Sequence, residues 1–173
     1  MILSARDKAL QDLIKLLFRD DDGKPFELTW GQIQMFKAIF FRSPRKVQFE
    51  CYTQYGKSDT VSMAVLLRAA LFPEKWIILG GTKEKAEIIM QKVIKHIFEN
   101  PLTLGRFKIG EDESLERIKR ERSRNRVTFK VDKEGNMSEI FMLSAEARRV
   151  GESAGDILIG HGAPNLVMDD AAL

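Results

Sequence analysis

The sequence predicts an α/β fold in which helices flank a central, mainly parallel sheet. Short apolar strands alternate with helical segments through the first half of the 173 residues, and this alternation is typical of parallel sheets. Trp76 to Leu79 is a continuous apolar run, as expected of a strand that is covered on both faces. A chain of this length builds one compact domain. We expect a helical lead-in at about residues 1–25 and the core at about residues 26–173.

Each predicted helix combines a start signal with an apolar face. Ser4, Thr29 and Thr82 are N-cap residues, whose side-chain oxygens accept a hydrogen bond from the first helical turn. The segment that starts at Ser58 is almost continuously apolar, which indicates a buried helix. The predicted helices cover residues 4–18, 29–41, 58–71 and 82–98.

The predicted strands are short apolar or alternating runs. Glu134-Gly135-Asn136 lies between two of them and is a hairpin signal. The last strand ends at the sheet edge where α/β proteins bind ligands. The sequence stops a few residues later, so we expect a domain that was cut from a longer protein after this strand. The predicted strands cover residues 46–51, 76–79, 127–131, 139–143, 157–159 and 166–168.

Composition narrows the possible classes of protein. The net charge of +3 permits a polyanionic partner without requiring one. The single cysteine, Cys51, excludes an intrachain disulfide and argues against a zinc cage. The apolar runs are too short to span a bilayer, and the amphipathic N-terminus is not a signal peptide. We expect a reducing, cytosolic compartment and no contact with a membrane.

A phosphate-binding loop is predicted between the strand at 46–51 and the following helix. The segment Cys51-Tyr52-Thr53-Gln54-Tyr55-Gly56-Lys57-Ser58 has the strand–loop–helix context that such a loop needs. Gly56 lets the backbone approach a phosphate, Lys57 supplies a positive charge, and Ser58 offers a hydroxyl to Mg²⁺. Cys51 stands where the first glycine is usual. A Gly-Lys-Ser tripeptide also occurs at ordinary helix starts, but its context favours a P-loop NTPase of the RecA-like (ASCE) class.

Two carboxylates follow the last predicted strand. Asp169 fits the position that orients Mg²⁺, and Asp170 fits the position that activates the attacking water. That second position usually holds glutamate, and aspartate is shorter by one methylene. Alone, the pair is more typical of a surface turn. Together with the upstream loop, it indicates nucleotide hydrolysis.

These motifs resemble the ATPase domain of the large terminase subunit of tailed bacteriophages. Leu28-Thr29-Trp30-Gly31-Gln32 is similar to the adenine-recognition motif of that family, with Gln32, or else Gln34, reading the base. The glycine-poor loop that ends in Lys57-Ser58 is typical of terminases. A segment that starts at Arg149 and leads into the strand before Asp169 resembles their Arg-Gly-x-x-Ala run. The resemblance covers about residues 26–173.

The resemblance implies a function, its cofactors and its partners. It implies ATP hydrolysis with Mg²⁺ that drives double-stranded DNA into the procapsid. It also implies a homo-oligomeric ring, with a pentamer expected, that meets the portal protein and the small terminase subunit. The place would be the host cytoplasm, transiently at the portal vertex. The implied nucleotide-binding residues are Gln32, Thr53, Gln54, Tyr55, Gly56, Lys57, Ser58 and Asp59. The implied metal ligands are Ser58 and Asp169. The implied catalytic residues are Lys57, Arg148, Arg149 and Asp170.

Two departures from the family pattern open alternatives. Thr53 stands where many terminases carry an arginine, so Arg148 or Arg149 of a neighbouring subunit is the candidate arginine finger. These arginines could instead pair locally with Glu146 and Glu152. Asp170 places full hydrolytic activity in question, so a nucleotide-binding module with impaired hydrolysis is one alternative function. A superfamily-2-like helicase or translocase domain is another.

The charge-dense segment 117–126 has two interpretations. Its arginines and lysines could contact DNA or a neighbouring subunit. Interleaved glutamates are more typical of a charged surface helix.

Overall fold

The structure is a computed structural model that describes residues 3–109, 114–121, 125–144, 162 and 164–169. The predicted strand at 157–159 and the candidate residues Arg148, Arg149 and Asp170 lie outside this range. Most of segment 117–126 lies within it, and residues 115–121 form a helix there.

The predicted helices are present, but the strand–helix alternation expected in the first half of the chain is not, because three helices precede the first strand of the described residues. The helices are α1 (Ala5–Leu17), α2 (Trp30–Phe41), α3 (Lys57–Leu71), α4 (Lys83–Glu99), α5 (Pro101–Leu104) and α6 (Leu115–Glu121). The strands are β1 (Lys75–Gly80), β2 (Phe107–Lys108), β3 (Arg126–Lys130), β4 (Met137–Ser144) and β5 (Asn165–Asp169). All three predicted caps are confirmed, because Ser4, Thr29 and Thr82 each accept a hydrogen bond from the backbone of the first helical turn.

The five strands form one sheet in the order β2-β3-β4-β1-β5. Strand β1 is parallel to both β4 and β5. Strands β3 and β4 form the predicted antiparallel hairpin, and β2 is antiparallel to β3. Of the five strands in the described residues, four therefore run in one direction and β3 runs against them. The mainly parallel sheet predicted from the sequence is confirmed.

The core lies where α3 and α4 pack against the central strands. Met63 to Leu67 of α3 are at most 1% exposed. Trp76 to Leu79 of β1 are all buried, which confirms the inference from their continuous apolar run. Helix α3 contacts α2 and α4, and α4 contacts β1 and β4. The N-terminus of α3 is thereby fixed relative to the sheet by packing on several sides.

The prediction of a strand at residues 46–51 is wrong. The segment belongs to no strand, and Val47 and Phe49 are 46% and 36% exposed. Alternating apolar residues indicate an extended backbone, but a strand also needs a neighbour that completes its ladder of hydrogen bonds. In the described part of the chain the sheet is formed by β1 to β5, and this segment pairs with none of them.

None of the helices in the described part of the chain is long and apolar enough to cross a membrane.

Candidate nucleotide-binding site

The predicted phosphate loop leads directly into α3, but no strand precedes it in the described residues, so only the loop–helix half of the predicted context is present. Residues 51–56 have no regular structure, and the helix begins at Lys57. Gly56 is its N-cap residue, with φ 76° and ψ 26°, and it has no side chain with which to cap the helix. The first N–H groups of a helix have no partner within the helix, and they carry the positive end of its dipole. Such an end accepts an anion.

The N-terminus of α4 differs from that of α3. Thr82 caps it through a hydrogen bond from the backbone N–H of Lys85. The N–H of Glu84, together with the Thr82 hydroxyl, lowers the pKa of the Glu84 carboxyl by hydrogen bonding. Side chains of Thr82 and Glu84 therefore accept hydrogen bonds from N–H groups in the first turn of α4. The cap residue of α3 is a glycine, which has no side chain to do this.

Gln32 contacts the phosphate loop. Its side-chain oxygen accepts a hydrogen bond from the Thr29 N–H at 2.7 Å, and its amide nitrogen donates to the Tyr55 carbonyl at 2.7 Å. The first bond completes a capping box at the start of α2. The second joins α2 to the residue that precedes Gly56. Gln32 is only 7% exposed, so both bonds are largely shielded from water.

Tyr55 makes a second connection to the start of α2. Its hydroxyl lies 3.2 Å from the Thr29 hydroxyl. A Cβ atom at Gly31 would overlap the Tyr55 hydroxyl, and one at Gly56 would lie 2.5 Å from the Gln32 amide nitrogen. Both glycines therefore permit a close approach between helix and loop.

The other predicted loop residues differ in exposure. Thr53 and Gln54 are exposed, and Gln54 has a positive φ of 65°. Lys57 and Ser58 are half-buried in the first turn of α3. Asp59 pairs with Lys92 of α4 at 2.6 Å, so its carboxylate joins two helices. A role of Asp59 in nucleotide binding stays a prediction.

Asp169 ends β5 at the carboxyl edge of the sheet. It lies opposite Gly80, the last residue of β1, and Gly80 in turn lies opposite Ser144, the last residue of β4. A Cβ atom at Gly80 would lie 2.5 Å from the Ala86 backbone nitrogen, because α4 starts close above this edge. Three parallel strands thus end together, at the kind of edge where α/β proteins bind ligands.

The predicted metal ligands fit Mg²⁺ by their chemistry. A serine hydroxyl and an aspartate carboxylate are hard oxygen donors, the kind of ligand that Mg²⁺ prefers. Mg²⁺ usually takes only one or two ligands from the protein and keeps several waters. Ser58 lies in the first turn of α3 and Asp169 at the end of β5. Among the described residues, no three His, Cys, Asp or Glu side chains form a cluster that could hold a metal.

Several contacts at this site could not be predicted from the sequence. The pairing of Thr29 with Tyr55 joins residues that are 26 positions apart, and no short motif encodes it. The bond from Gln32 to the loop was also missed, since the sequence suggested only a contact with the base. The one available signal was Gly31, a glycine just inside a helix start, where close backbone approach is a common reason for that residue.

The helices pack around a mainly parallel sheet, with a glycine-capped helix after a loop and an aspartate at a strand end, and together they form an α/β fold. The structure is similar to the crystal structure of the HK97 bacteriophage large terminase, with a TM-score of 0.62 and 16% sequence identity. The similarity covers 95% of this chain and 37% of that chain. No protein-family model and no curated protein sequence matches this sequence. The similarity between this chain and that terminase is a similarity of fold.

Proposed function

We propose that this chain is the ATP-binding and ATP-hydrolysing motor domain of a viral DNA-packaging terminase. The observation that carries the proposal is the start of α3, where Lys57 follows a glycine cap in a fold similar to that of a large terminase. A helix N-terminus and a lysine are two of the groups that bind a triphosphate in P-loop proteins.

Binding is assigned to the loop and the first turn of α3. The N–H groups that follow Gly56 would face the phosphates, with Lys57 placing its ammonium at the β- and γ-phosphates. Ser58 and Asp169 would hold Mg²⁺, which neutralises charge on the phosphate oxygens. Gln32 would contact the adenine base with the donor or acceptor capacity that its two intramolecular bonds leave free.

Hydrolysis is assigned to residues that follow β4 and β5 in sequence, and both strands end at the carboxyl edge of the sheet. Asp170 would orient the attacking water, and it follows Asp169, the end of β5. Arg148 or Arg149 of a neighbouring subunit would stabilise the charge of the transition state. In sequence, these arginines come four and five residues after Ser144, which ends β4 at the same edge.

The partners of the motor belong to the same proposal. Double-stranded DNA would be moved by a homo-oligomeric ring that is seated on the portal protein and loaded with the small terminase subunit. The site of action would be the portal vertex in the host cytoplasm. The chain spans 37% of the terminase to which it is similar.

The decisive experiment measures ATP turnover, with and without double-stranded DNA, for the parent chain and for Lys57→Ala. We expect turnover and DNA stimulation in the parent and a loss on the order of 10²-fold or more in the variant, because the lysine acts on the transferred phosphoryl group. Lys8→Ala, on the exposed side of α1, is the matched control and should behave like the parent. Equal rates in the parent and Lys57→Ala would refute the assignment.

A further inference from the structure

The start of α2 contacts the end of the phosphate loop at two points. We call this contact the loop latch and define it by Thr29, Gly31, Gln32, Tyr55 and Gly56. One point is the bond from Gln32 to the Tyr55 carbonyl, and the other is the pair of Thr29 and Tyr55 hydroxyls. We propose that the loop latch sets the geometry of the phosphate loop before a nucleotide arrives, so that Gln32 and Tyr55 are positioning residues for phosphate. This inference rests on the proposed function.

The bond from Gln32 fixes the orientation of a peptide plane. In a trans peptide the C=O and the following N–H point in opposite directions. Because Gln32 holds the Tyr55 carbonyl at 2.7 Å, the N–H of Gly56 is directed away from Gln32. That N–H is among the consecutive backbone donors that a phosphate-binding concavity uses. A rotated peptide would present a carbonyl oxygen there and repel the anion.

The second point of the latch holds the Tyr55 side chain. Its hydroxyl lies over Gly31 and beside the Thr29 hydroxyl, and its ring meets Tyr52 edge-to-face at a centroid distance of 5.1 Å. The residue before Gly56 is therefore held through both its backbone and its side chain. Thr29 and Gln32 are in turn fixed by the capping box of α2.

A loop that is held in this way needs less ordering when a ligand binds. Pre-organisation raises affinity because the entropic cost of ordering is already met in the free protein. The latch therefore predicts an effect of Gln32 on any ligand that carries a triphosphate, with or without a base. A glutamine that acts on adenine alone would affect only adenine nucleotides.

Inorganic tripolyphosphate separates these two roles, since it has no base. Its binding with Mg²⁺, measured by calorimetry, should weaken by about tenfold in Gln32→Ala, which corresponds to the loss of one well-formed hydrogen bond. Gln91→Ala, on the exposed side of α4, is the matched control and should bind like the parent. Unchanged tripolyphosphate affinity in Gln32→Ala, with weaker ATP binding, would overturn the latch and leave Gln32 as a contact to the base only.

Gly31→Ala tests the latch without removing any hydrogen-bonding group. The new methyl group would displace the Tyr55 hydroxyl, while alanine favours the helix that begins at Trp30. We expect an equal or higher midpoint of thermal unfolding together with several-fold weaker binding of tripolyphosphate. A merely structural contact would lower stability and leave the affinity of the folded protein unchanged. Parental affinity in Gly31→Ala would contradict the proposal.

Lys57→Ala shows whether a failure belongs to the latch or to the proposed function. If this variant binds tripolyphosphate as tightly as the parent, the loop is not the phosphate site and the proposed function fails. If Lys57→Ala loses tripolyphosphate binding while Gln32→Ala and Gly31→Ala bind it as the parent does, only the proposal of the loop latch fails. A double-mutant cycle of Thr29→Val and Tyr55→Phe should show coupling in the affinity, because the two hydroxyls contact each other.

Discussion

Gly56 combines two constraints that no other residue type meets. Its φ of 76° lies in the left-handed region, where a Cβ atom costs about 1–2 kcal/mol. The Gln32 amide nitrogen also occupies the space that a side chain would need. The first constraint concerns stability, whereas the second concerns the phosphate loop and its contact with α2. The two are therefore separable by experiment.

Gly56→Ala should lower the free energy of unfolding by about 1–2 kcal/mol and should also abolish tight binding of ATP. Gly135→Ala is the matched control. Its φ is 90°, and among the described residues, apart from Gly135 and its two chain neighbours, no atom lies within 4 Å of the position of the added carbon. Urea unfolding should show a loss of stability for both variants, with a larger loss for Gly56→Ala because the Gln32 side chain must also move, and nucleotide titration should show a loss of binding for Gly56→Ala alone. Equal nucleotide affinity in the two variants would contradict the placement of Gly56 at the phosphate site.

Among the elements, α2, α3 and β1 are joined at the end opposite to the phosphate loop. Glu74, just before β1, accepts hydrogen bonds from Arg68 of α3 and from Arg42 at the end of α2. Burial alone would raise the pKa of the Glu74 carboxyl, but the bonds from the two arginines outweigh it, so the pKa is lowered from the ordinary value of 4.5. Arg68 also donates to the Phe40 carbonyl in the last turn of α2.

Glu74→Gln should lower the free energy of unfolding at neutral pH by about 1–3 kcal/mol, as expected for hydrogen bonds to a charged group. The folded-state pKa is depressed, so this contribution is present above about pH 4.5 and is lost as the pH falls through the folded-state value. Urea unfolding of the parent and the variant should therefore differ at pH 7 and converge in acid. Glu27→Gln is the control, since Glu27 is 72% exposed in its pair with Lys15 and such pairs contribute little. A difference that persists undiminished at low pH would exclude the ionised pair as its source.

The success of sequence-based prediction varied between these elements for physical reasons. Helices α1, α2 and α4 were predictable because Ser4, Thr29 and Thr82 carry the cap chemistry that fixes a helix start locally. Strand β1 was predictable because a buried parallel strand is apolar throughout. The strand at 46–51 was not, since its existence depends on a partner strand and not on its own pattern. Lys57 could be placed near a helix start because that signal is local in sequence. The loop latch could not be predicted, because it depends on contacts between residues that are distant in sequence.

At the scale of the whole molecule, the direction of the strands determines which residues lie at the carboxyl edge of the sheet. Strands β4, β1 and β5 are parallel and end in register, so the chain leaves β4 at the edge that Asp169 reaches. Arg148 and Arg149, outside the described residues, follow β4 closely in sequence. A cyclic ring with head-to-tail contacts places different surfaces of adjacent subunits against each other. One subunit can thus supply a residue to the site of the next.

Mixing two inactive variants tests this arrangement. Arg149→Ala subunits keep Lys57, and Lys57→Ala subunits keep Arg149, so either variant alone should turn over ATP on the order of 10³-fold more slowly than the parent if the arginine acts as a finger. In a ring assembled at random from equal amounts, about a quarter of the head-to-tail contacts combine an intact loop with an intact arginine. Turnover should therefore rise to about a quarter of the parental rate, with light scattering used to confirm that rings have formed.

The control replaces the Lys57→Ala partner with the double variant Lys57→Ala, Arg149→Ala, in which no contact has both residues. Turnover in that mixture should stay at the level of the Arg149→Ala variant. If the arginine acts within its own subunit, both mixtures should remain slow, because each site lacks one of its residues. If Arg148→Ala alone is slow, Arg149→Ala alone is near the parental rate, and Lys57→Ala complements Arg148→Ala, the assignment moves to Arg148. If the two arginines only contact Glu146 and Glu152, Arg148→Ala alone and Arg149→Ala alone should both stay near the parental rate, which separates a local ion pair from a finger.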